Sequence, residues 1–517
     1  MGRSRAGGCS RSAGKPFGVR PATLHTSRNI ARGGVVSAYV TSLDAGLLSP
    51  ATTAAGRKPH VVIIGSGFGG LFAARALKRS KVDVTLIAKT SHHLFQPLLY
   101  QVATGILSQG EIAPSTREVL SGQKNTTVIL GDVTDIDVAG KKVHAKVINA
   151  RDLEADFETS YDHLIVAAGA AQSWFGHDEF AEFAPGMKSI DDALELRGRI
   201  FGAFELAELA AIEGRHADVE ALMTFVVVGA GPTGVEMAGQ LVELSNRTLR
   251  HDFRHISPTD AKIILLDAGP AVLASFHSSL QAKTKAALEK LGVDVRLGAM
   301  VTDVDDLGIT VKSTGRDGEP FEERIPSVTK VWAAGVAASP LGRILADQVG
   351  VEVDRAGRIP VQEDLTLPGH PEIHVVGDMA SLNNLPGVAQ VAIQGARHSV
   401  KEIKRAIAGE PTGEKFVYFD KGSMATISRF RAIAEVKSIR LTGFLAWLAW
   451  LGVHLVYIIG FKSRLTTLIS WLVSFIGRGR PERTITAQQV IGRRAIERLT
   501  EIEAGEQDPA ASPRRAG

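Results

Sequence analysis

Two stretches of the chain decide its fold: residues 60–77, HVVIIGSGFGGLFAARAL, and residues 224–241, TFVVVGAGPTGVEMAGQL. Each begins with an apolar, β-branched run of the kind that forms a buried parallel strand. Each then passes through three glycines in the pattern GxGxxG into a run with helical periodicity. In this motif the first glycine permits a tight turn, the second lets the backbone approach a pyrophosphate, and the third lets helix and strand pack closely. Two copies in strand–turn–helix context predict an α/β fold with two Rossmann-like dinucleotide-binding domains.

The start of the helix after each glycine turn is expected to hold a phosphate group. Its first N–H groups have no partner within the helix and carry the positive end of the helix dipole. We therefore expect each turn to bind one dinucleotide. The predicted binding residues are Gly65, Gly67, Phe68, Gly69 and Gly70 in the first motif, and Gly229, Gly231 and Gly234 in the second.

The end of the next strand indicates which nucleotide each unit takes. In the second unit that strand ends in Asp267, and no Arg or Lys follows within ten residues. A carboxylate there accepts hydrogen bonds from a ribose 2′-hydroxyl and repels a 2′-phosphate, which favours NADH over NADPH; the alternative is an aspartate that caps the loop. In the first unit Ala88 and Lys89 stand in place of the acid, so the ribose must use another partner, either backbone or Lys89.

Three later stretches also have the pattern of a strand that ends in a turn. YDHLIVAAGA (161–170) and VTKVWAAGVAAS (328–339) end in small residues, whereas EIHVVGDMA (372–380) ends in Gly377 and Asp378. A carboxylate at a strand end can accept hydrogen bonds from the ribitol hydroxyls of a flavin, and a plain turn aspartate is the alternative.

The charge of the chain is concentrated at its beginning. Residues 1–58 hold nine Lys or Arg and a single acid, while the whole chain has a net charge of +4, so the rest of the chain is mildly acidic. The basic character is therefore no argument for nucleic-acid binding. The one cysteine, Cys9, excludes a disulfide framework, a cysteine-ligated metal site and a thiol redox pair, and we predict no metal site.

The basic leader lacks the apolar core of a secretory signal. It is either a mitochondrial-type transit peptide or a disordered extension, and we favour the disordered extension of a bacterial protein.

Beyond the two glycine motifs, four short stretches resemble one family closely. They are HHLFQPLLYQVATG (92–105), GAGPTGVE (229–236), GVAQVAIQ (387–394) and DKGSMATI (420–427). Two glycine-rich units followed by a late Gly-Asp pair resemble the two-dinucleotide-binding flavoproteins. Within that group the four stretches resemble type II NADH dehydrogenases, the NADH:quinone oxidoreductases that do not pump protons, and actinobacterial members in particular.

The resemblance implies FAD in the first unit and NADH in the second. It places Gln390 and Gln394 beside the isoalloxazine at a quinone pocket, Glu236 near nicotinamide and flavin, and Lys421 near the flavin edge. Each has a simpler alternative: two glutamines on an exposed helix face, a first-turn helix acid, or a solvated loop lysine. The full predicted FAD set adds Lys89, Gln96, Gly105, Ala168, Gly169, Asp378 and Gln390 to the first motif, and the NADH set adds Glu236, Asp267, Ala334 and Gly335 to the second.

The implied activity is transfer of a hydride from NADH to FAD, and then of two electrons to a membrane quinone, menaquinone or ubiquinone. It would feed the respiratory chain without pumping protons. Two alternatives are a soluble NADH:ferredoxin-type flavin reductase and a non-catalytic flavoprotein that senses NAD.

The C-terminal part has the composition of a membrane-interface segment. Residues 444–461, FLAWLAWLGVHLVYIIGF, carry no charge, and basic residues flank them on both sides. In 465–476 the apolar residues follow helical spacing, with Ser and Thr on the other face. We predict an amphipathic, monotopic anchor rather than a true span. It would lie at the cytoplasmic face of a bacterial inner membrane or, alternatively, at a mitochondrial inner membrane; the same face would also suit a homodimer interface.

The predicted domain organisation has six parts. They are a disordered basic leader (1–58), the first part of an FAD-binding domain (59–180), an NADH-binding domain (181–339), the second part of the FAD-binding domain (340–405), a C-terminal membrane-anchoring region (406–480) and a helical or disordered tail (481–517).

Overall fold

The computed structural model describes residues 57–147, 154–314, 319–477 and 479–486. All of them belong to one compact unit that spans Thr52–Gly517. Most of the predicted leader and of the predicted tail lies outside the described residues, so the structure bears on neither.

Groups of strands and groups of helices follow one another along the described chain. The strands are β1 (His60–Ile64), β2 (Asp83–Ala88), β3 (Thr126–Asp137), β4 (Lys142–Val147), β5 (Ala155–Ser160), β6 (His163–Val166), β7 (Ala170–Gln172), β8 (Thr224–Val228), β9 (Lys262–Asp267), β10 (Val293–Leu297), β11 (Met300–Val304), β12 (Gly308–Thr314), β13 (Pro320–Pro326), β14 (Thr329–Trp332), β15 (Val336–Ala338), β16 (Ile359–Pro360), β17 (Thr366–Leu367), β18 (His370–Val375), β19 (Ala380–Ser381), β20 (Ser423–Ser428), β21 (Arg431–Val436) and β22 (Ile439–Gly443). The helices are α1 (Phe68–Ala76), α2 (Leu99–Ala103), α3 (Gln109–Ile112), α4 (Thr116–Leu120), α5 (Phe180–Phe183), α6 (Ile190–Ile212), α7 (His216–Leu222), α8 (Pro232–Glu243), α9 (Ser278–Leu291), α10 (Leu341–Val349), α11 (Ala389–Ala408), α12 (Phe444–Tyr457) and α13 (Phe461–Ile476).

The first sheet has eight strands in the order β17-β18-β6-β1-β2-β3-β4-β5. Its centre, from β18 to β3, is parallel, and the apolar residues of β1 and β6 are completely buried. Both faces must therefore be covered, which explains their continuous apolar sequences. The chain leaves this sheet after β6 and returns only at β17 and β18.

The second sheet is built from the part of the chain between those points. Its four strands, in the order β10-β9-β8-β14, are all parallel. An antiparallel sheet of β11, β12 and β13 lies between β10 and β14 in sequence. In both parallel sheets the strand before the glycine turn, β1 or β8, has neighbours on both sides. The α/β fold with Rossmann-type sheets, predicted from the two motifs, is confirmed.

A further sheet, which the sequence analysis did not predict, follows α11. Strands β20, β21 and β22 form an antiparallel meander, and α8 packs on β20 while α12 packs on β21. The part of the chain predicted as a membrane-anchoring region therefore contains a sheet that is attached to the second α/β unit.

The apolar run 444–461 does not form one continuous helix. Helix α12 ends at Tyr457, and α13 begins at Phe461 and continues through the predicted amphipathic segment. The two faces of α13 are those predicted: it buries Ser463, Thr467 and Ser474 against the protein. Its exposed large apolar residues are Phe461, Leu465, Leu468, Ile469, Leu472, Val473 and Ile476, while Trp471 and Phe475 are buried with the Ser and Thr residues. Within the described residues, no helix combines the length and the hydropathy that a membrane span requires.

The contact between α8 and β20 depends on a glycine. A Cβ on Gly239 would lie 1.7 Å from the carbonyl oxygen of Ile427, so no side chain fits there without moving β20.

We expect Gly239→Ala to lower the free energy of unfolding by about 2 kcal/mol, because backbone atoms must shift. Gly202→Ala is the matched control, since a Cβ on this α6 glycine meets nothing within 4 Å and should stabilise the helix by about 1 kcal/mol. Urea unfolding followed by circular dichroism measures both, and equal midpoints for the two variants would contradict this packing.

Candidate active site

The two glycine turns have the same geometry. Gly65 and Gly229 adopt left-handed backbone angles, with φ of +99° and +102°, a region that favours glycine. A Cβ on Gly70 would lie 1.8 Å from the carbonyl oxygen of Gly65, and a Cβ on Gly234 would lie 1.8 Å from that of Gly229. Turn and helix therefore touch through backbone atoms in both units, and a larger residue is excluded at all four positions.

The middle glycine of each motif faces open space instead. A Cβ on Gly67 or Gly231 would meet nothing within 4 Å, and these residues are the N-caps of α1 and α8. Each helix start thus has free N–H groups and a bare backbone beside an open volume, which suits a pyrophosphate. The residues present fit two dinucleotides.

Asp267 lies at the second of these turns. Its Oδ2 accepts a hydrogen bond from the Ala230 N–H at 2.5 Å, and its Oδ1 accepts one from the Gly269 N–H at 2.7 Å. The carboxylate therefore accepts hydrogen bonds from the loop, as the alternative of a capping aspartate predicts. It also lies at the end of β9, where the ribose of a dinucleotide would bind. In the first unit, Lys89 is exposed and pairs with Asp132 at 2.9 Å; binding of a ribose by either residue stays a prediction.

Asp378 follows β18 directly, in the single turn Gly377–Met379. Burial raises the pKa of its carboxyl group, and the nearby cation of Lys188 lowers it. A small cavity lies beside it, lined in part by Gly387 and Val391 at the start of α11. The carboxyl group is thus placed where the first sheet meets the glutamine-bearing helix.

The two glutamines of α11 have different surroundings. Gln394 is held by the backbone of Phe419, donating from Nε2 to its carbonyl at 3.0 Å and accepting from its N–H at 3.0 Å. The Oε1 of Gln390 is buried and has no hydrogen-bond partner among the described residues. Because a buried acceptor without a partner is costly, Gln390 is suited to accept a hydrogen bond from a bound molecule, whereas Gln394 orders the loop.

Lys421 is bound to the end of α12. Its Nζ donates to the hydroxyl of Tyr457 at 2.9 Å, and this hydrogen bond lowers the pKa of the phenol. The amide of Gln390 lies beside the same hydroxyl group and also lowers that pKa. Gln390, Lys421 and Tyr457 therefore form one polar group at the base of the apolar helices.

Glu236 is buried at the interface of α8 and β20. Its Oε1 accepts hydrogen bonds from the N–H and the hydroxyl of Thr426, at 3.2 Å and 3.4 Å. Burial raises the pKa of the carboxyl group to about 8, although the Thr426 donors oppose the rise. The indole N–H of Trp450 approaches the carboxyl without meeting the geometry of a hydrogen bond. At neutral pH the group is mainly protonated.

Three of the four residues predicted as catalytic belong to or contact one short segment, 419–426, and the fourth, Gln390, is connected to it through Tyr457. Gln394 binds its first residue, Phe419; Lys421 belongs to it; and Glu236 binds its last, Thr426. Gln390 joins through Tyr457. The structure thus brings the four together, whereas they are spread over 186 positions of sequence between 236 and 421.

The remaining predicted residues lie around the glycine turns or farther away. The Phe68 ring meets the rings of His93 and Phe95 edge-on, at 5.1 Å and 5.8 Å. Gln96 begins the single turn before α2. The carbonyl of Gly169, next to Ala168, accepts from the Ser339 N–H, and the carbonyls of Ala334 and Gly335 accept from Gln172 Nε2. These contacts connect the ends of β6 and β14 to their neighbours.

Gly105 has neighbours that its predicted role did not include. It has a left-handed φ of +76°, and a Cβ there would meet the Glu482 carbonyl at 2.9 Å and the Phe201 ring at 3.1 Å. Its carbonyl accepts from the Glu482 N–H. The contacts of Gly105 are thus with α6 and the segment after α13.

Four buried polar residues near the site were not predicted: Tyr100, Thr426, Trp450 and Arg480. Arg480 donates to the carbonyl oxygens of Thr104 and Gln240 and to Oε1 of Gln240. It thereby connects the segment after α13 to α2 and α8. A sequence signal existed only for Tyr100, which together with Gln101 interrupts an apolar run where a buried polar group needs a partner.

No metal-binding group of three or more His, Cys, Asp or Glu occurs in the described part of the chain.

Comparisons with known proteins identify the class. The family described as pyridine nucleotide-disulphide oxidoreductase matches residues 59–396, so fold and glycine turns define a member of that class. Two type II NADH:quinone oxidoreductases of Mycobacterium tuberculosis, Ndh and NdhA, are 57% and 56% identical to this chain. The alignments cover 89% and 86% of this chain and 97% and 93% of those relatives.

Solved structures have the same fold. NDH2 of Plasmodium falciparum, in complex with NADH, matches with a TM-score of 0.73 at 22% identity, over 82% of this chain and 99% of that one. The sulfide:quinone oxidoreductase of Aquifex aeolicus matches with a TM-score of 0.60 at 16% identity, over 81% of this chain and 95% of that one. The chain belongs to the type II NADH:quinone oxidoreductases, and the resemblance indicated by its motifs is confirmed.

Proposed function

We propose that this chain oxidises NADH through a bound FAD and passes the two electrons to a membrane quinone. The observation that carries the proposal is the pair of matching glycine turns, each open to a pyrophosphate, together with the polar residues that gather at the segment 419–426, three of them directly and Gln390 through Tyr457. The relatives from Mycobacterium tuberculosis are named for the same activity. The alternatives with a ferredoxin acceptor or a purely sensory role have no such support.

The first unit would hold FAD and the second NADH. The start of α1 and Asp378 would bind the pyrophosphate and ribitol of FAD, and the start of α8 and Asp267 the pyrophosphate and ribose of NADH. FAD supplies the hydride-accepting and electron-donating chemistry. On this basis we propose that residues 59–180 and 340–405 form the FAD-binding domain and that residues 181–339 form the NADH-binding domain.

The protein residues would position the substrates and supply protons. Reduction of a quinone takes up two protons together with the two electrons. Glu236 carries a proton at neutral pH, and the Lys421–Tyr457 pair holds further exchangeable protons beside Gln390. The unpaired Oε1 of Gln390 would accept a hydrogen bond from a bound ring.

The choice of acceptor tests the proposal directly. Addition of NADH to the purified protein should bleach the flavin absorbance, and a short-chain quinone should restore it within one turnover time. Ferredoxin should restore it far more slowly. Stopped-flow absorbance measures both rates, and fast reoxidation by ferredoxin with slow reoxidation by quinone would overturn the assignment.

Asp267 offers a test of the nucleotide site. We expect Asp267→Ala to raise the KM for NADH by about tenfold, because one hydrogen bond from a ribose to a charged acceptor is lost. Asp294→Ala is the matched control, since that aspartate lies on the neighbouring strand β10 and pairs only with surface Arg296. Steady-state kinetics measure the effect, and a KM that is unchanged in Asp267→Ala would rule out the ribose contact.

We also propose that α12 and α13 attach the protein to the cytoplasmic face of a membrane as a monotopic anchor. Their outer faces expose many large apolar residues, and α13 turns its Ser and Thr residues inward. The exposed cations Lys437 and Arg440 precede α12, and Lys462 lies at the start of α13. An apolar face bordered by cations suits an anionic lipid surface. A quinone dissolved in lipid would then reach the Lys421–Tyr457 pair from the bilayer.

Substitution of the outer face of α13 tests the attachment. Leu468→Ser with Leu472→Ser should weaken binding to anionic phospholipid vesicles by at least tenfold, because two half-exposed apolar side chains lose roughly 1–3 kcal/mol each. Leu307→Ser is the control, since Leu307 is equally exposed on the second α/β unit. Vesicle co-sedimentation measures the affinity. If the double variant binds vesicles normally but sediments as a monomer where the parent is a dimer, the face is a homodimer interface instead.

A further inference from the structure

A chain of buried hydrogen bonds connects α13 to Glu236. The indole N–H of Trp471 donates to Gln101 Oε1 at 2.7 Å, and Gln101 Nε2 donates to the Tyr100 hydroxyl at 3.1 Å. The Tyr100 hydroxyl lies 2.9 Å from the Thr426 hydroxyl, which in turn reaches Glu236 at 3.4 Å. All five side chains are buried. The predicted roles of the site residues use none of this chain beyond Glu236 itself.

The chemistry of its outer end fixes the direction of the first two hydrogen bonds in the chain. An indole N–H can only donate, so the atom of Gln101 that faces Trp471 must be the oxygen, and the amide nitrogen faces Tyr100. Tyr100 accepts from that nitrogen, and the Thr426 hydroxyl is the acceptor that the described residues offer to the Tyr100 proton. The Thr426 hydroxyl, having accepted, donates to the Glu236 carboxyl. Each donor thus points toward the carboxyl group.

Other titratable groups approach this chain without pairing with the carboxyl group. Tyr100 comes from α2, Arg480 from the segment after α13, and Glu243 from the last turn of α8. Burial raises the pKa of Tyr100, and negative charge on Glu236 and Glu243 raises it further. From α12, Trp450 faces the carboxyl, and His454 stacks on Trp450 at 4.0 Å. Burial lowers the pKa of His454 to about 4, so this imidazole is neutral. Within the described residues Glu236 has no ion-pair partner.

We propose that Tyr100 and Thr426 are positioning residues, whose aligned hydroxyl groups hold the Glu236 carboxyl and favour its ionised form. The inference rests on the proposed function, in which Glu236 gives up a proton during turnover. A carboxyl group buried without donors would keep its proton at every physiological pH. Donors aimed at Oε1 lower the free energy of the carboxylate, so the group can both carry a proton and release it.

Removal of the donors should therefore raise the pKa of Glu236. Thr426→Val keeps the shape of the side chain but removes the hydroxyl donor, and should move the titration upward by about one pH unit. Tyr100→Phe removes only the group that polarises Thr426, and should move it by less. Thr426→Ser restores a hydroxyl donor and should return the titration to that of the parent protein.

Infrared spectroscopy of the FAD-bound protein measures this titration without turnover. The C=O stretch of the protonated carboxyl, identified by its loss in Glu236→Gln, is followed against pH in each variant. The alkaline limb of the pH profile of kcat for quinone reduction is measured in parallel. Thr284→Val is the control, because that buried hydroxyl donates only to Leu280 within α9, and both readouts should stay as in the parent.

The outcomes separate the two proposals. If Thr426→Val and Tyr100→Phe, with normal FAD content, both titrate as the parent does, the positioning role is overturned. If the infrared titration shifts as expected and the pH profile of kcat does not follow, the positioning role stands and the catalytic role of Glu236 fails. Parallel shifts in both readouts, reversed in Thr426→Ser, support both.

Discussion

The arrangement of this protein depends on one kind of contact, the approach of helix backbone to turn backbone at the third glycine of each motif. A methyl group at Gly70 or Gly234 would lie within 2 Å of a carbonyl oxygen, so the contact exists only without a side chain. It draws the start of the helix onto the end of the strand and directs the free N–H groups of the first turn at the open space beside the middle glycine. Because this occurs in both units, one fold contains two helix starts whose free N–H groups face an open volume.

The same type of contact sets the position of the Glu236 carboxyl group. Glu236 lies two residues after Gly234, so its position along α8 is set by the glycine turn. Three residues farther on, Gly239 lets the Ile427 carbonyl of β20 touch the helix backbone. That contact brings Thr426, the preceding residue, to the Glu236 carboxyl. The segment with Phe419 and Lys421 directly precedes β20 in sequence, so the position of β20 also sets the position of this segment. Glycine contacts, rather than long-range charge pairs, thus assemble the site.

The parallel sheets could be predicted from sequence because their signals are local. A run such as Val61–Ile64, followed at once by the glycine motif, carries both its strand pattern and its turn chemistry within a few residues. The sheet of β20, β21 and β22 carried no such signal. Its two tight turns pass through Phe430 and Lys437, both with left-handed backbone angles (φ of +61° and +53°). Hairpin prediction relies on Asn or Gly at such positions, so these strands were missed.

The hydrogen-bond partner of a side chain could be predicted only where both residues belong to one sequence motif. The helical spacing of Gln390 and Gln394 placed them on one face of α11, but only the three-dimensional structure shows that Gln394 is used by the Phe419 backbone while Gln390 keeps a free acceptor. The Tyr100–Thr426 contact joins residues 326 positions apart. No periodicity within one element reports a partner at that separation, since it depends on how α2 and β20 pack around α8.

The orientation of α13 is the last consequence of this packing. An amphipathic helix on a soluble surface normally turns its apolar face to the protein, whereas α13 leaves its leucine-rich face exposed and buries its Ser and Thr residues together with Trp471 and Phe475. Ser470 donates to Glu111 at 2.7 Å and Trp471 donates to Gln101, so the inward face is held by directed hydrogen bonds. The leucines are left outside, where burial in lipid would contribute roughly 1–3 kcal/mol for each side chain covered. The Trp471–Gln101 hydrogen bond is also the first in the chain that ends at Glu236, and so the helix with the exposed apolar face and the carboxyl group are joined by one continuous set of buried hydrogen bonds.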